Sequence, residues 1–202
     1  METLTVTNNN LRDLGFQGVS NNLKILKVAD NDIHKLFPSG YPGAYKPSVS
    51  TCFPNLAILD AKSNDISDVT GLASNCPNLR ALNLEDNNLA GGIFDELCHL
   101  KNLEYVNLAN NDIKANGKDF ENFALLCSKN IKYLNVQNNN LSKSNLMSMR
   151  DKLKRRGISM EFLGDHGCAE PIVGMTVNQM GPSDGGASIV TVDAVAVAYV
   201  EK

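Results

Sequence analysis

The residues of this chain that could take part in catalysis lie near its C-terminal end. His166 and Cys168 stand beside Asp165, and these residue types could supply a base, a nucleophile and an orienting group. Residues two apart rarely converge in that way, and the flanking glycines favour a linker. The segment 181–186, GPSDGG, is similar to a phosphate-binding loop but lacks a lysine and a following helical pattern. We therefore expect no catalytic residue and no cofactor here.

An eleven-residue motif recurs six times before this region. Its first, fourth, sixth and eleventh places are apolar, and its ninth place is asparagine. Alternation at the fourth to sixth places predicts a short strand in which Leu82 and Leu84 point inward and Asn83 points outward. One such unit cannot bury its apolar edge, so neighbouring copies must stack. The copies begin at Leu23, Leu56, Leu79, Leu103 and Ile131, and a degenerate first copy covers 1–11.

The motif resembles the consensus LxxLxLxxNxL of the leucine-rich-repeat family over roughly residues 1–163. The resemblance implies an α/β solenoid, or horseshoe, with a parallel β-sheet on its concave side. We divide the chain into a solenoid of about six repeats with a C-terminal cap, 1–163, and a non-repeat Gly-rich linker and extended tail, 164–202. Asparagine spacings of 22–24 residues resemble short SDS22-like repeats, and a spacing of 28 resembles the ribonuclease-inhibitor class.

The ninth-place asparagines form a column that we interpret as structural. A buried carboxamide at this place can donate to and accept from backbone groups of adjacent turns, which a leucine cannot do. The column comprises Asn9, Asn31, Asn64, Asn87, Asn111 and Asn139.

Composition and cysteine usage bound the class of protein. A net charge of -3 gives no signal for nucleic acid, and no run of 18 apolar residues predicts a membrane span. His34 and His99 are isolated, and five cysteines without a CxxC pair predict no metal site. We interpret the first four cysteines, Cys52, Cys76, Cys98 and Cys127, as packing residues and free thiols of a reducing compartment. The expected location is cytoplasmic, with a cytoskeletal or axonemal site as an alternative.

Three further segments have predictable structure. The Pro- and Gly-rich stretch 37–54 is a loop insertion in which Tyr41 and Tyr45 could form a second contact surface. Helical spacing predicts a convex helix over 118–128 and a cap helix over 144–156, ended by Gly157 and followed by a strand at 158–163. The alternating segment 187–202 suits one extended strand that either adds to a sheet edge or is disordered alone.

The concave face should carry the functional residues. Stacked parallel strands lie about 4.8 Å apart, so residues at one place of successive motifs form a row. The third-place row is apolar, and the fifth-place row carries amides. We predict that partner-binding residues come from both rows: Ile25, Ile58, Tyr105, Tyr133, Asn83, Asn107 and Asn135. The alternative is that the apolar row only shields strand edges or is covered by the chain's own tail.

Basic residues cluster at the end of the predicted cap helix. They are Arg150, Lys152, Lys154, Arg155 and Arg156. Positive side chains are favoured there by the helix dipole, so a solvated helix end explains them. Contact with an acidic surface, a protein tail or nucleic acid, is the alternative interpretation.

These features predict a noncatalytic module that binds a partner protein as an adaptor or regulatory subunit, without a cofactor, metal or membrane. Two alternatives stay open. A structural subunit of a large assembly, of axonemal or cytoskeletal type, would account for an uncapped first repeat and an unpartnered strand. A substrate-recognition subunit of a ubiquitin ligase would need an adaptor-binding segment before residue 1.

Overall fold

A computed structural model describes residues 1–14, 19–37, 52–114, 122–123, 129–161, 187–192 and 195–200. Seven short strands form one sheet in chain order, and each pairs with the next in parallel. This is the stacked solenoid that the repeated motif predicts. The strands are β1 Thr3–Thr5, β2 Ile25–Lys27, β3 Ile58–Asp60, β4 Ala81–Asn83, β5 Tyr105–Asn107, β6 Tyr133–Asn135 and β7 Ser159–Glu161.

The apolar core lies behind the sheet. The middle residue of each central strand points into it and is at most 2% exposed. Fully burying a side chain of this kind stabilises the fold by about 1.5–3 kcal/mol, so every turn adds to the stack through one such residue. These residues are Leu26, Leu59, Leu82, Val106 and Leu134.

The ninth-place asparagines join neighbouring turns, as predicted. Nδ2 of Asn87 donates to the carbonyl oxygens of Leu84 and Glu85 in its own turn, at 3.2 and 3.1 Å, and of Ala61 in the preceding turn, at 3.0 Å. Its Oδ1 accepts from the backbone N–H of Ile66 at 2.9 Å. One carboxamide thus satisfies four backbone groups. The same pattern recurs at Asn31, Asn64, Asn111 and Asn139.

The residue before each of these asparagines has a left-handed backbone. Its φ lies between 50° and 58° in all six copies. Asparagine and aspartate tolerate this conformation better than other residues with a side chain, because they can bond to local backbone groups. Five copies carry one of these two residues, and the sixth carries serine. The residues are Asn8, Asp30, Ser63, Asp86, Asn110 and Asn138.

The first turn is the least buried of the stack. Leu4, Val6 and Leu11 are only half-buried against the core. Asn9 is exposed and donates to the carbonyl of Thr7 at 2.8 Å. The degenerate first copy therefore forms a strand without the full ladder of bonds.

Among the residues described, the convex side carries two short helices, α1 Leu72–Asn75 and α2 Ile93–His99. The Glu96 carboxylate of α2 accepts from the backbone N–H groups of Gly71 and Ala73, both at 3.2 Å, and so fastens the two turns together. The helix predicted over 118–128 lies outside the described residues except for 122–123. The insertion residues Tyr41 and Tyr45 also lie outside them.

The C-terminal cap forms as predicted. Helix α3 spans Lys143–Lys154, and its Leu146, Met149 and Leu153 are buried. Ser142 caps its start by accepting from the backbone N–H of Asn145 at 3.3 Å. Gly157, with φ 74°, ends it, and its N–H donates to the carbonyl of Lys154 at 3.0 Å. Strand β7 then completes the sheet.

The segment after the linker forms two strands, so the prediction of one extended strand is wrong. Strands β8 Ala187–Val192 and β9 Val195–Val200 pair with each other in antiparallel fashion. Two short strands can satisfy one another's backbone groups, whereas a single strand leaves them unpaired. Among the described strands, neither pairs with the solenoid sheet. The domain boundary at 163/164 stays a prediction.

Candidate functional site

The third-place residues form one apolar row across the concave sheet. The register pairs Ile25 with Ile58, Ile58 with Ala81, Ala81 with Tyr105 and Tyr105 with Tyr133. All five belong to one apolar cluster on the opposite side of the sheet from the main core. Ile58 and Ala81 are only 3% and 2% exposed, whereas the other three are half-buried. The row therefore offers contact area at its two ends.

A cluster of three charged side chains supports the tyrosine end of the row. Glu104 accepts from Arg80 Nε at 2.8 Å and from Lys132 Nζ at 2.6 Å. Burial opposes ionisation of Glu104, but the bonds from Lys132 and Arg80 outweigh it and hold its pKa below the usual range. Lys132 Nζ also lies 6.0 Å from the centre of the Tyr105 ring, within reach of a cation–π contact. Tyr105 is thus placed by neighbours on two turns.

The fifth-place asparagines make most of their bonds within the sheet. Oδ1 of Asn83 and of Asn107 accepts from the backbone N–H two residues later, at 3.2 Å in both cases. Nδ2 of Asn83 donates to Asp60 Oδ1 at 3.1 Å, and Nδ2 of Asn107 donates to Glu85 Oε2 at 2.7 Å. Asn135 repeats the backbone bond, from Gln137 at 3.0 Å. No described residue accepts from Nδ2 of Asn135.

Asp60 is the one carboxylate of the fifth-place row within β2–β6, and it is 4% exposed. Burial raises its pKa, although the backbone N–H of Lys62 and the charge of Lys27 partly oppose the rise. Lys62 itself pairs with Glu85 Oε1 at 3.4 Å. Beside the apolar row, the fifth-place row within β2–β6 thus carries charged groups in its first two turns and amides in the next three.

The residues that the sequence offered for catalysis lie outside the described part of the chain, and the two described histidines make local contacts. Asp165, His166, Cys168 and the segment 181–186 lie outside the described residues. Among those described, no group of three or more potential metal ligands occurs. His34 and His99 each place Nδ1 near a local carbonyl, of Asp32 at 2.7 Å and of Asp95 at 2.8 Å.

Sequence reasoning did not identify an open depression of about 540 Å³ beside the ascending turns. Arg12, Asp32, His34 and Asp65 line it. The signal that could have found it is the tenth place of the motif. Asp32 and Asp65 occupy that place in consecutive copies, whereas the next three copies carry Asn88, Asp112 and Asn140 there.

The cysteines are not all in the thiol state that the sequence predicted. Cys52 and Cys76 are not in disulfides, and burial raises the pKa of both thiols, which favours their protonated form. Cys98 is disulfide-bonded, so the prediction that the first four are all free thiols is wrong. Stacked turns bring equivalent positions close together, a proximity that spacing along the chain does not reveal. The cysteines therefore no longer support a cytoplasmic location. None of the described helices combines the length and apolar character that a bilayer crossing needs.

Comparisons with known proteins agree with the architecture. Two models of the family described as Leucine Rich Repeat match the chain, one over 78–100 and one over 99–117. The chain is similar to the structure of a pollen receptor kinase 3, at 20% identity and a TM-score of 0.50, over 85% of this chain and 77% of that chain. That likeness shows the shared fold.

Other solved structures share less of the arrangement. One is the Drosophila melanogaster SNF/U2A' complex, at 19% identity and a TM-score of 0.43, over 70% of this chain and 78% of that one. Another is a Leptospira interrogans LRR protein, at 19% identity and a TM-score of 0.46, over 80% of this chain and 49% of that one. No curated protein matches the chain.

Proposed function

We propose, from the premise that this chain is a leucine-rich-repeat protein, that its concave sheet binds a partner protein. The stacked repeats of such solenoids create extended concave surfaces that commonly serve as interaction modules. The role that fits is noncatalytic, an adaptor or regulatory subunit. The single observation that supports it is the continuous apolar row from Ile25 to Tyr133 on the outer side of the sheet.

Apolar side chains that stay partly exposed side by side, as Tyr105 and Tyr133 do, favour a contact surface, because leaving them in water is unfavourable. Tyr105 and Tyr133 lie in adjacent turns and are half-buried, so a partner could cover the remaining area of both rings. Lys132 lies over the ring of Tyr105 and is itself held by Glu104, which restricts the ring and lowers the entropy lost when a partner binds. Buried tyrosines in such positions are frequent interface hot spots.

The other predicted partner-binding residues have different roles in this proposal: some contact the partner and others support the surface. Ile25 provides apolar contact at the N-terminal end of the row. Ile58, its neighbour in the row, is almost fully buried and supports Ile25 by packing. Asn83 and Asn107 hold the surface in shape, since both ends of each carboxamide are bonded within the chain. Asn135 is the amide that we assign to the partner, through its Nδ2.

The partner is identified by purifying the protein from its native source. A single co-purifying protein in fixed stoichiometry supports the adaptor or regulatory role. Recovery only within a large assembly favours the structural-subunit alternative instead. Recovery with ubiquitin-ligase subunits favours the substrate-recognition alternative.

Replacing both tyrosines tests the surface itself. We expect Y105A/Y133A to weaken binding of the purified partner by about 2 kcal/mol or more, because two anchors of the interface are truncated. Isothermal titration calorimetry measures the change. The matched control is Y41A/Y45A, which removes two tyrosines from the insertion and should leave affinity within about 0.5 kcal/mol. Loss of affinity in the control and not in the concave variant would assign binding to the insertion.

A further inference from the structure

A second charged surface lies on the C-terminal cap. We define the basic cap surface as Lys154, Arg155 and Arg156, with Arg150 and Lys152 beside them. The segment 143–156 contains six of the 19 basic residues of the chain and one of its 22 acidic residues. The remainder of the chain is correspondingly acidic. This surface is therefore the strongest local departure from the net charge of -3.

The geometry of the helix turns these side chains outward. Leu146, Met149 and Leu153 occupy the buried face, while Lys154, Arg155 and Arg156 are exposed. The one acidic residue, Asp151, lies 3.5 Å from Arg150 Nε. Nε of Arg155 donates to the Asp151 carbonyl at 3.2 Å, which orients its guanidinium at the helix end.

We propose that the basic cap surface binds an acidic segment of a partner protein, independently of the concave face. Arginine guanidinium groups bind carboxylates through paired hydrogen bonds, and an oriented guanidinium loses less entropy on doing so. The helix dipole explains why positive charge is tolerated at this end. The dipole alone does not account for two adjacent arginines directly after Lys154, the last residue of the helix.

The surroundings favour a protein segment over the other polyanions. The segment 143–158 contains no aromatic residue on which unpaired bases could stack. The buried positions of Leu146, Met149 and Leu153 leave α3 without an apolar face to insert into a lipid surface. A long polyanion would also meet the acidic remainder of the chain, whereas a short acidic segment meets only the basic cap surface.

The test uses the full chain and fluorescein-labelled deca-glutamate, with binding followed by fluorescence anisotropy at about 50 mM NaCl. We expect saturable binding that weakens at raised salt. The variant K154E/R155E/R156E should lower affinity at least about tenfold, because repulsion replaces attraction. Charge reversal also opposes the helix dipole, so K154Q/R155Q/R156Q is measured as well and should lower affinity about threefold while keeping the cap folded by circular dichroism.

The matched control is K101E/K114E/K129E, which changes net charge equally at three exposed lysines elsewhere. It should keep affinity within about twofold. An equal loss in this control would show a nonspecific charge effect and overturn the proposal. So would absence of peptide binding by the unaltered chain, or tighter binding of a ten-nucleotide RNA or of phosphatidylserine vesicles than of deca-glutamate.

Discussion

Two columns of asparagine run through the solenoid, and the same side chain does different work in each. At the ninth place, Asn111 donates to three carbonyl oxygens and accepts from Leu89, across two turns of backbone. At the fifth place, Asn107 accepts from Ala109, two residues on, and donates to the side chain of Glu85. The first column replaces backbone partners that a sheet or helix would otherwise provide, whereas the second, also buried, links the side chains of neighbouring strands.

The contrast separates the residues that hold the chain where it turns from those that line the concave face. Ninth-place bonds lie where the chain turns away from the sheet, and any residue lost there leaves backbone groups unpaired in a dry interior. Fifth-place residues can vary among lysine, aspartate and asparagine, because their backbones are already paired by the strands. Variation is therefore tolerated on the face that we propose as the binding surface.

The largest predicted effect is the difference in unfolding free energy between a substitution in one column and the same substitution in the other. Asn111→Ala should lower the free energy of unfolding by about 1–3 kcal/mol, since it leaves three carbonyls and one N–H without their partner. Asn107→Ala removes one backbone bond and the bond to the Glu85 side chain, and should cost less than Asn111→Ala, about 1 kcal/mol. Urea unfolding monitored by circular dichroism measures both. Equal losses would contradict the distinction between the columns.

A smaller effect on stability is expected at Asp60, in the fifth-place row. Because burial raises the pKa of Asp60, its ionised form disfavours the fold, and this penalty grows as pH rises through the folded-state pKa. Asp60→Asn keeps an acceptor for Asn83 and for the backbone N–H of Lys62 without the charge. We expect the variant to be more stable near pH 7, by less than about 1 kcal/mol.

The pH profile provides the check on Asp60. The gain should disappear below the unfolded-state pKa of about 3.9, where the wild-type carboxyl is neutral in both states. Thermal melts at several pH values measure it. A variant less stable than wild type at pH 7 would mean that attraction to Lys27 and Lys62 outweighs burial.

The smallest effect concerns the turn before the ninth-place column. Ser63 has φ 50° and donates through Oγ to Asp86 Oδ2 at 3.0 Å. Ser63→Asn should raise stability by a few tenths of a kcal/mol, because asparagine tolerates this backbone better. Asn138, at the same place three turns later, donates to Asn110 of the neighbouring turn, so the bond between turns can be kept. Ser63→Ala is the control and should lower the melting temperature.

The fold could be predicted because its determinants repeat within each copy. Apolar residues at the fourth and sixth places and asparagine at the ninth require parallel strands and a ladder, whatever the rest of the turn contains. The cap helix followed from local spacing and from Gly157, which adopts the left-handed backbone. These features depend on neighbours along the chain or on strict periodicity.

The remaining features depend on contacts between residues far apart in sequence. The sharing of Glu104 by Arg80 and Lys132 joins three turns, and nothing in one motif specifies it. The disulfide of Cys98 likewise depends on how closely the turns stack. Pairing of β8 with β9 could not be predicted because the segment that holds both strands alternates evenly, as one long strand would. The sequence predicted that the third-place residues form one row, but it did not predict that Ile58 and Ala81 are almost fully buried.

The most direct test is hydroxyl-radical footprinting of the protein with and without its purified partner, read as the oxidation rate of each tyrosine. If the concave apolar row is the binding surface, Tyr105 and Tyr133 should be protected several-fold in the complex while Tyr41 and Tyr45 keep their rates. Unchanged rates at Tyr105 and Tyr133 in a saturated complex would contradict the account.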